Sequence, residues 1–168
     1  QLCGRLALPI YQFGYRRGAW DDAARALEAG WEQLRDHDWS YRVPHDTLSQ
    51  LKATLALYRG CLALDHGRTA EAQECGELAV TIRQALGGLA GTAEALNLLA
   101  TIAMEQQEVE ATEHLLYEAL HKAPADAYLV LGRVIHNLGW IAAQKGHQAL
   151  AFSIYQRSLI YRRIAGDV

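Results

Sequence analysis

Proline is nearly absent: three residues in a chain of 168. Long stretches are therefore free of the residue that breaks helices. Cysteine is equally scarce. Cys3, Cys61 and Cys75 are an odd set at spacings that form no disulfide framework, which points to reduced thiols in a reducing, cytoplasmic compartment. Positive charge is not in excess, since the net charge is −3 with seven histidines counted neutral. That removes the basic surface which phosphate-backbone binding requires, so no nucleic-acid partner is expected. The longest uncharged runs contain Gly, Gln and Asn and fall short of a membrane-spanning length. No segment alternates apolar and polar residues as a half-buried strand does.

Motifs that carry chemistry are missing as well. The glycine-rich stretch Gly87-Gly88-Leu89-Ala90-Gly91 is not followed by Lys-Ser or Lys-Thr, so it reads as an interhelical break and not as a phosphate loop. His37, His45, His66, His114, His121, His136 and His147 include no pair four residues apart, the spacing that puts two zinc ligands on one helical turn. No Ser or Cys stands in a nucleophile elbow. Catalysis, a metal and a cofactor are therefore not expected.

What is present is a repeated grammar. A turn residue, Gly in three units and Gln107 in the third, is followed at +5, +9 and +12 by a recurring pattern of small and large residues: Gly18, Ala23, Leu27, Gly30; Gly67, Ala72, Gly76, Ala79; Gln107, Thr112, Leu116, Ala119; Gly146, Ala151, Tyr155, Ser158. The starts lie 49, 40 and 39 residues apart. Self-similarity at such a period means stacked supersecondary units. Apolar residues make up 51% of the chain and recur at helical spacing, as in 19–36, where Ala23, Leu27, Gly30 and Leu34 share a face.

Eight helices in four antiparallel pairs are predicted, with units near 2–36, 46–86, 92–123 and 127–165. The first is kinked at Pro9 and followed by the Arg17-Gly18 connection. The stretch 37–44 is the least periodic. Asp46 or Thr47 is expected to cap the second unit's first helix, Thr69 to cap its partner, and Thr92 to open the third unit. Seven residues before the turn residue stands Gly60, Ala100 or Gly139, which lets two backbones approach closely. In the first unit that place is held by Tyr11. The small residue at +12 is expected where a following unit presses in.

These residues resemble the tetratricopeptide repeat. Its pattern of a small residue, Gly, Ala, a large residue, Ala and Pro is matched in the fourth unit by Gly139, Gly146, Ala151, Tyr155 and Ser158. In the third it is matched by Ala100, Thr112, Leu116, Ala119 and Pro124. The second unit departs, with Gly76 where a large residue belongs. The resemblance implies an all-α fold, a right-handed α-solenoid of about four antiparallel helix pairs, and a single repeat domain over 1–168. The period of 39–40 residues exceeds the usual repeat of about 34. Together with the closing phrase Tyr161-Arg162-Arg163-Ile164-Ala165-Gly166-Asp167, it resembles the long-repeat arrays of bacterial LuxR-type regulators built like the maltose-regulon activator. In such regulators the array receives a signal. Gln1 in place of Met, and the stop at Val168, give the expectation of a piece cut from a longer array. Its uncapped ends should fray or self-associate.

The resemblance also implies that first helices line a concave groove. Positions −13, −10, −6 and −3 from each turn residue then face it: Arg5, Leu8, Gln12 and Tyr15; Thr54, Leu57, Cys61 and Leu64; Glu94, Asn97, Thr101 and Met104; Arg133, His136, Trp140 and Ala143. Glu94, Asn97, Thr101, Arg133, His136 and Trp140 combine amide, hydroxyl, charge and aromatic groups, a mix suited to a peptide backbone or an acidic terminus. A protein or peptide, or another domain of the same polypeptide, is the expected partner. A small effector in the same groove is the alternative.

Overall fold

The computed structural model describes residues 20–36 and 43–167. The expected helix over 2–16 with its Pro9 kink, Tyr11, Cys3, the groove set from Arg5 to Tyr15, the Arg17-Gly18 connection and the stretch 37–42 lie outside the described residues. Seven helices form, and no strand occurs among the described residues: α1 (Trp20–Asp36), α2 (His45–Asp65), α3 (Thr69–Ala85), α4 (Leu89–Glu105), α5 (Val109–Lys122), α6 (Tyr128–Gln144) and α7 (Gln148–Ile164). They belong to two compact units, Gln1–Gly87 and Gly88–Val168. In the first, α2 packs on α1 and on α3. In the second, α4 packs on α5, α6 on α7, and α6 also meets α5 and α4.

Helix ends explain the regularity. Gly67, Gly87, Gln107, Gly146 and Gly166 all adopt positive φ, between 61° and 79°. At 67, 107, 146 and 166 the same two bonds close the helix. Gly67 N–H donates to Leu64 O at 2.8 Å and Arg68 N–H to Ala63 O at 2.8 Å, and the other three turns repeat this register. This is the left-handed C-terminal cap that reverses the chain with a single residue. The residue after it already starts the next helix: the carbonyls of Arg68, Glu108 and His147 accept from Ala72, Thr112 and Ala151 at 2.9–3.0 Å.

The expected side-chain caps are therefore corrected. Thr69 stands inside the first turn of α3, after Arg68. α2 begins at His45, with Pro44 before it and no side-chain cap from Asp46 or Thr47. α4 begins at Leu89, not at Thr92, and the Thr92 hydroxyl donates back to Gly88 O at 2.9 Å. The break read over Gly87–Gly91 shrinks to Gly87 and Gly88, since one left-handed glycine is enough to turn the chain.

Gln107 is the only non-glycine in that conformation among the described residues, with φ 61°. A side chain there costs about 1–2 kcal/mol. Gln107→Gly is expected to stabilise the protein by roughly 0.5–1 kcal/mol, and Gly146→Ala to destabilise it by about 1 kcal/mol. Denaturant unfolding of the two variants checks the opposite signs.

The repeated small and large positions are the buried seams. Ala23 and Leu27 of α1, Ala72 and Ala79 of α3, Thr112, Leu116 and Ala119 of α5, and Ala151 and Ser158 of α7 are all at most 2% exposed. Gly60, Ala100 and Gly139 on the preceding helices are buried too. At Gly139 the reason is visible: a Cβ there would stand 2.6 Å from Tyr155 Cε1 and 2.8 Å from Cδ1. Seven residues earlier, a Cβ on Gly132 would meet Arg162 Cγ at 2.8 Å. Ser158 does not wait for a following unit: its hydroxyl donates to Gly132 O at 2.7 Å, inside its own helix pair.

Candidate functional site

All six candidate residues fall in the second unit, Glu94, Asn97 and Thr101 on α4 and Arg133, His136 and Trp140 on α6. These helices start at related points of the repeat, so residues about 40 apart come to the same level. Two pairs span them. Arg133 Nη1 donates to Glu94 Oε1 at 3.4 Å, and Asn137 Nδ2 donates to Asn97 Oδ1 at 3.0 Å. Thr101 lies one turn along α4, its hydroxyl donating to the carbonyl of Asn97 at 2.9 Å. That bond spends the hydroxyl proton within the helix and fixes its rotamer.

Asn137 was missed by the spacing, which places His136 at that level. The signal was available, because 97 and 137 are 40 residues apart and the repeat interval itself varies between 39 and 40. Glu94 and Arg133 face solvent only in part, with side-chain exposures of 23% and 36%. A pair so placed is screened and contributes on the order of 1 kcal/mol or less. Its main effect is to hold two charges in a defined place.

The structure takes His136 elsewhere. Its ring lies 5.0 Å from that of Tyr155 on α7, tilted by 46°. Tyr155 thus covers Gly139 and flanks His136 together, which is possible only because position 139 has no side chain. His136 stays exposed, and partial desolvation beside its neighbours, and then the Arg162 guanidinium, hold the imidazole below its ordinary value of 6.5. Such a histidine binds its proton more readily when unfolded. It therefore favours the folded state fully above about pH 6.5 and progressively less as pH falls toward its lowered value. The acid limb of the stability profile is expected to be shallower in His136→Gln, measured by thermal unfolding across that window. Trp140 is half-buried on α6.

The set on α2 fares differently. Leu57 and Leu64 are buried at 3% and 7% exposure, so they are core residues and not groove residues. Thr54 accepts from Arg83 Nη2 at 2.6 Å. Sequence spacing also missed the polar centre of the first unit. Arg59, on α2, donates to Glu28 of α1 at 2.8 Å and lies 3.7 Å from Glu71 of α3. Its guanidinium carbon is 5.0 Å from the centre of the Trp31 ring. One arginine so ties three helices. Beside it, burial pushes the Cys75 thiol up, with Arg59 opposing. A thiol held protonated is a poor nucleophile.

Among the described residues no three His, Cys, Asp or Glu side chains gather to hold a metal ion. No helix among them is long and apolar enough to cross a membrane. Comparison of the chain with protein-family models and with curated proteins finds no match to either.

Proposed function

We propose that this chain is a protein- or peptide-binding scaffold of the tetratricopeptide type. In this reading it is a right-handed α-solenoid of antiparallel helix pairs, serving as the sensor or interaction region of a larger bacterial regulator. The receiving surface is the one shared by α4 and α6. The observation that carries the reading is the Asn97–Asn137 bond. Each amide has two donor hydrogens and a carbonyl. Their mutual bond uses one donor and one carbonyl and leaves an NH₂ on one side and a C=O on the other. That is the complement of a peptide unit, and it is the same whichever way the two amides are turned.

The Glu94–Arg133 pair lies within the same few turns and supplies a charge of each sign that a ligand's terminus or side chain can engage. The half-buried Trp140 offers an apolar anchor on α6, seven residues beyond Arg133.

The test is a selection of random displayed peptides on the chain, followed by affinity measurement with variants. Asn97→Ala and Asn137→Ala are each expected to weaken the selected peptides at least tenfold while circular dichroism stays helical. Losing one of two backbone hydrogen bonds accounts for a change of this order, since about 1.4 kcal/mol is tenfold. Peptides that bind both variants as well as the wild type would refute the assignment.

A further inference from the structure

The second unit holds another concavity, on different side chains from the Asn97–Asn137 surface. It is a groove of about 440 Å³ between α5 and α7, floored by α6. Ile135 and Ile141 form its floor and are 7% and 3% exposed. Tyr117 on α5 and Leu150 on α7 form its lips and are 56% and 52% exposed; Ile154 lines the α7 wall. One end is closed by an ion pair, Lys145 Nζ to Glu113 Oε2 at 2.6 Å. On the α7 wall stands Arg157. It is exposed and has no hydrogen-bond or ion-pair partner among the described residues.

Size and charge decide what fits. The volume lies in the range of small-molecule sites, about 300–1,000 Å³, which are mostly apolar with a few placed polar groups. A specific protein contact needs about 800 Å² on each partner, more than the two exposed lips provide; the other exposed apolar side chains of α7, Phe152, Leu159, Ile160 and Ile164, do not line the groove. Glu113 and Lys145 cancel, so with His147 counted neutral the lining carries one net positive charge, on Arg157. A guanidinium presents a planar fork that matches a carboxylate. Leu150 and Arg157 are two helical turns apart, about 10 Å along α7.

We infer that this groove binds a small amphiphilic carboxylate, its apolar chain over Ile135 and Ile141 between Tyr117 and Leu150 and its head group on Arg157. Binding removes the exposed apolar lips from water, which favours association, and the arginine selects the charge of the head. The inference does not depend on the peptide reading of α4 and α6.

Isothermal titration of the full chain with octanoate tests it, beside octanol and octylammonium, which keep the chain and remove or invert the charge. Octanoate is expected to saturate one site and to bind at least tenfold more tightly than octanol, with octylammonium weakest. Arg157→Gln should lower octanoate to the level of octanol. Leu150→Ser should weaken octanoate and octanol alike. Both positions are exposed, so neither substitution threatens the fold. Octanoate that fails to saturate, that matches octanol on the wild type, or that binds Arg157→Gln unchanged overturns the assignment. So does stoichiometric capture of an amphipathic helical peptide, or of anionic vesicles, by a chain that does not take up octanoate.

Discussion

Replacing Gly139 with leucine is expected to destabilise the unit over residues 88–168 by about 3 kcal/mol, the upper part of the range for overpacking. The side chain has nowhere to go, because its first carbon alone would stand 2.6 Å from the Tyr155 ring. Moving that ring also breaks its contact with His136. The informative comparison is Gly139→Ala. On helix propensity alone, alanine in a helix interior should stabilise by about 0.5–1 kcal/mol. Here a net loss of roughly 1–2 kcal/mol is expected, because the clash outweighs that gain. Pairing Gly139→Ala with Tyr155→Ala should remove most of the clash, so the double variant should be more stable than the sum of the two single changes predicts. Additive losses would show that the ring is not what excludes a side chain at 139.

Leu116→Ala is expected to cost about 2–5 kcal/mol. Leu116 is completely buried in the middle of α5, at the large position of its repeat. Its neighbours along the helix seam, Thr112 and Ala119, are small and equally buried. Leu120, one turn further along α5 and half-buried, can relax toward the cavity, which places the cost near the middle of that range. A loss of 3 kcal/mol in a unit of this size lowers the unfolding midpoint by on the order of 15 °C. Tyr155 at the same repeat position is only half-buried, so Tyr155→Ala should cost less. Equal losses at 116 and 155 would mean that the large position does not track burial.

Much of the helical architecture was legible in the sequence because one device produces it. A left-handed residue ends a helix, the next residue starts another, and small residues five and twelve places on allow close packing. Gly67 and Gly146 carry that signal openly. Gln107 carries it only by register, since its side chain argues against the conformation it adopts. The helix starts were misplaced for the same reason. Thr69 and Thr92 look like caps, but Arg68 and Gly88 hold the cap positions, their carbonyls accepting the first intrahelical bonds, and no side chain caps either helix.

The candidate surface was legible at the level of helices, not of side chains. Spacing brought α4 and α6 together and set Glu94 and Arg133 at the same position of the repeat. It could not tell His136 from Asn137, which are adjacent in sequence and differ by about 100° around the helix. The difference is decided by Gly139, whose missing side chain admits Tyr155 and gives His136 a neighbour on α7. The groove over α6 gave no sequence signal, because its residues come from three helices and each alone reads as ordinary core.

The most direct measurement is the nuclear magnetic resonance of the Asn97 and Asn137 side-chain amides as a selected peptide is added. The peptide-binding account predicts that these two NH₂ signals shift saturably, with the largest backbone changes on α4 and α6 around Glu94 and Arg133. Unmoved asparagine signals, with the changes instead on Tyr117, Leu150 and Arg157, would contradict it.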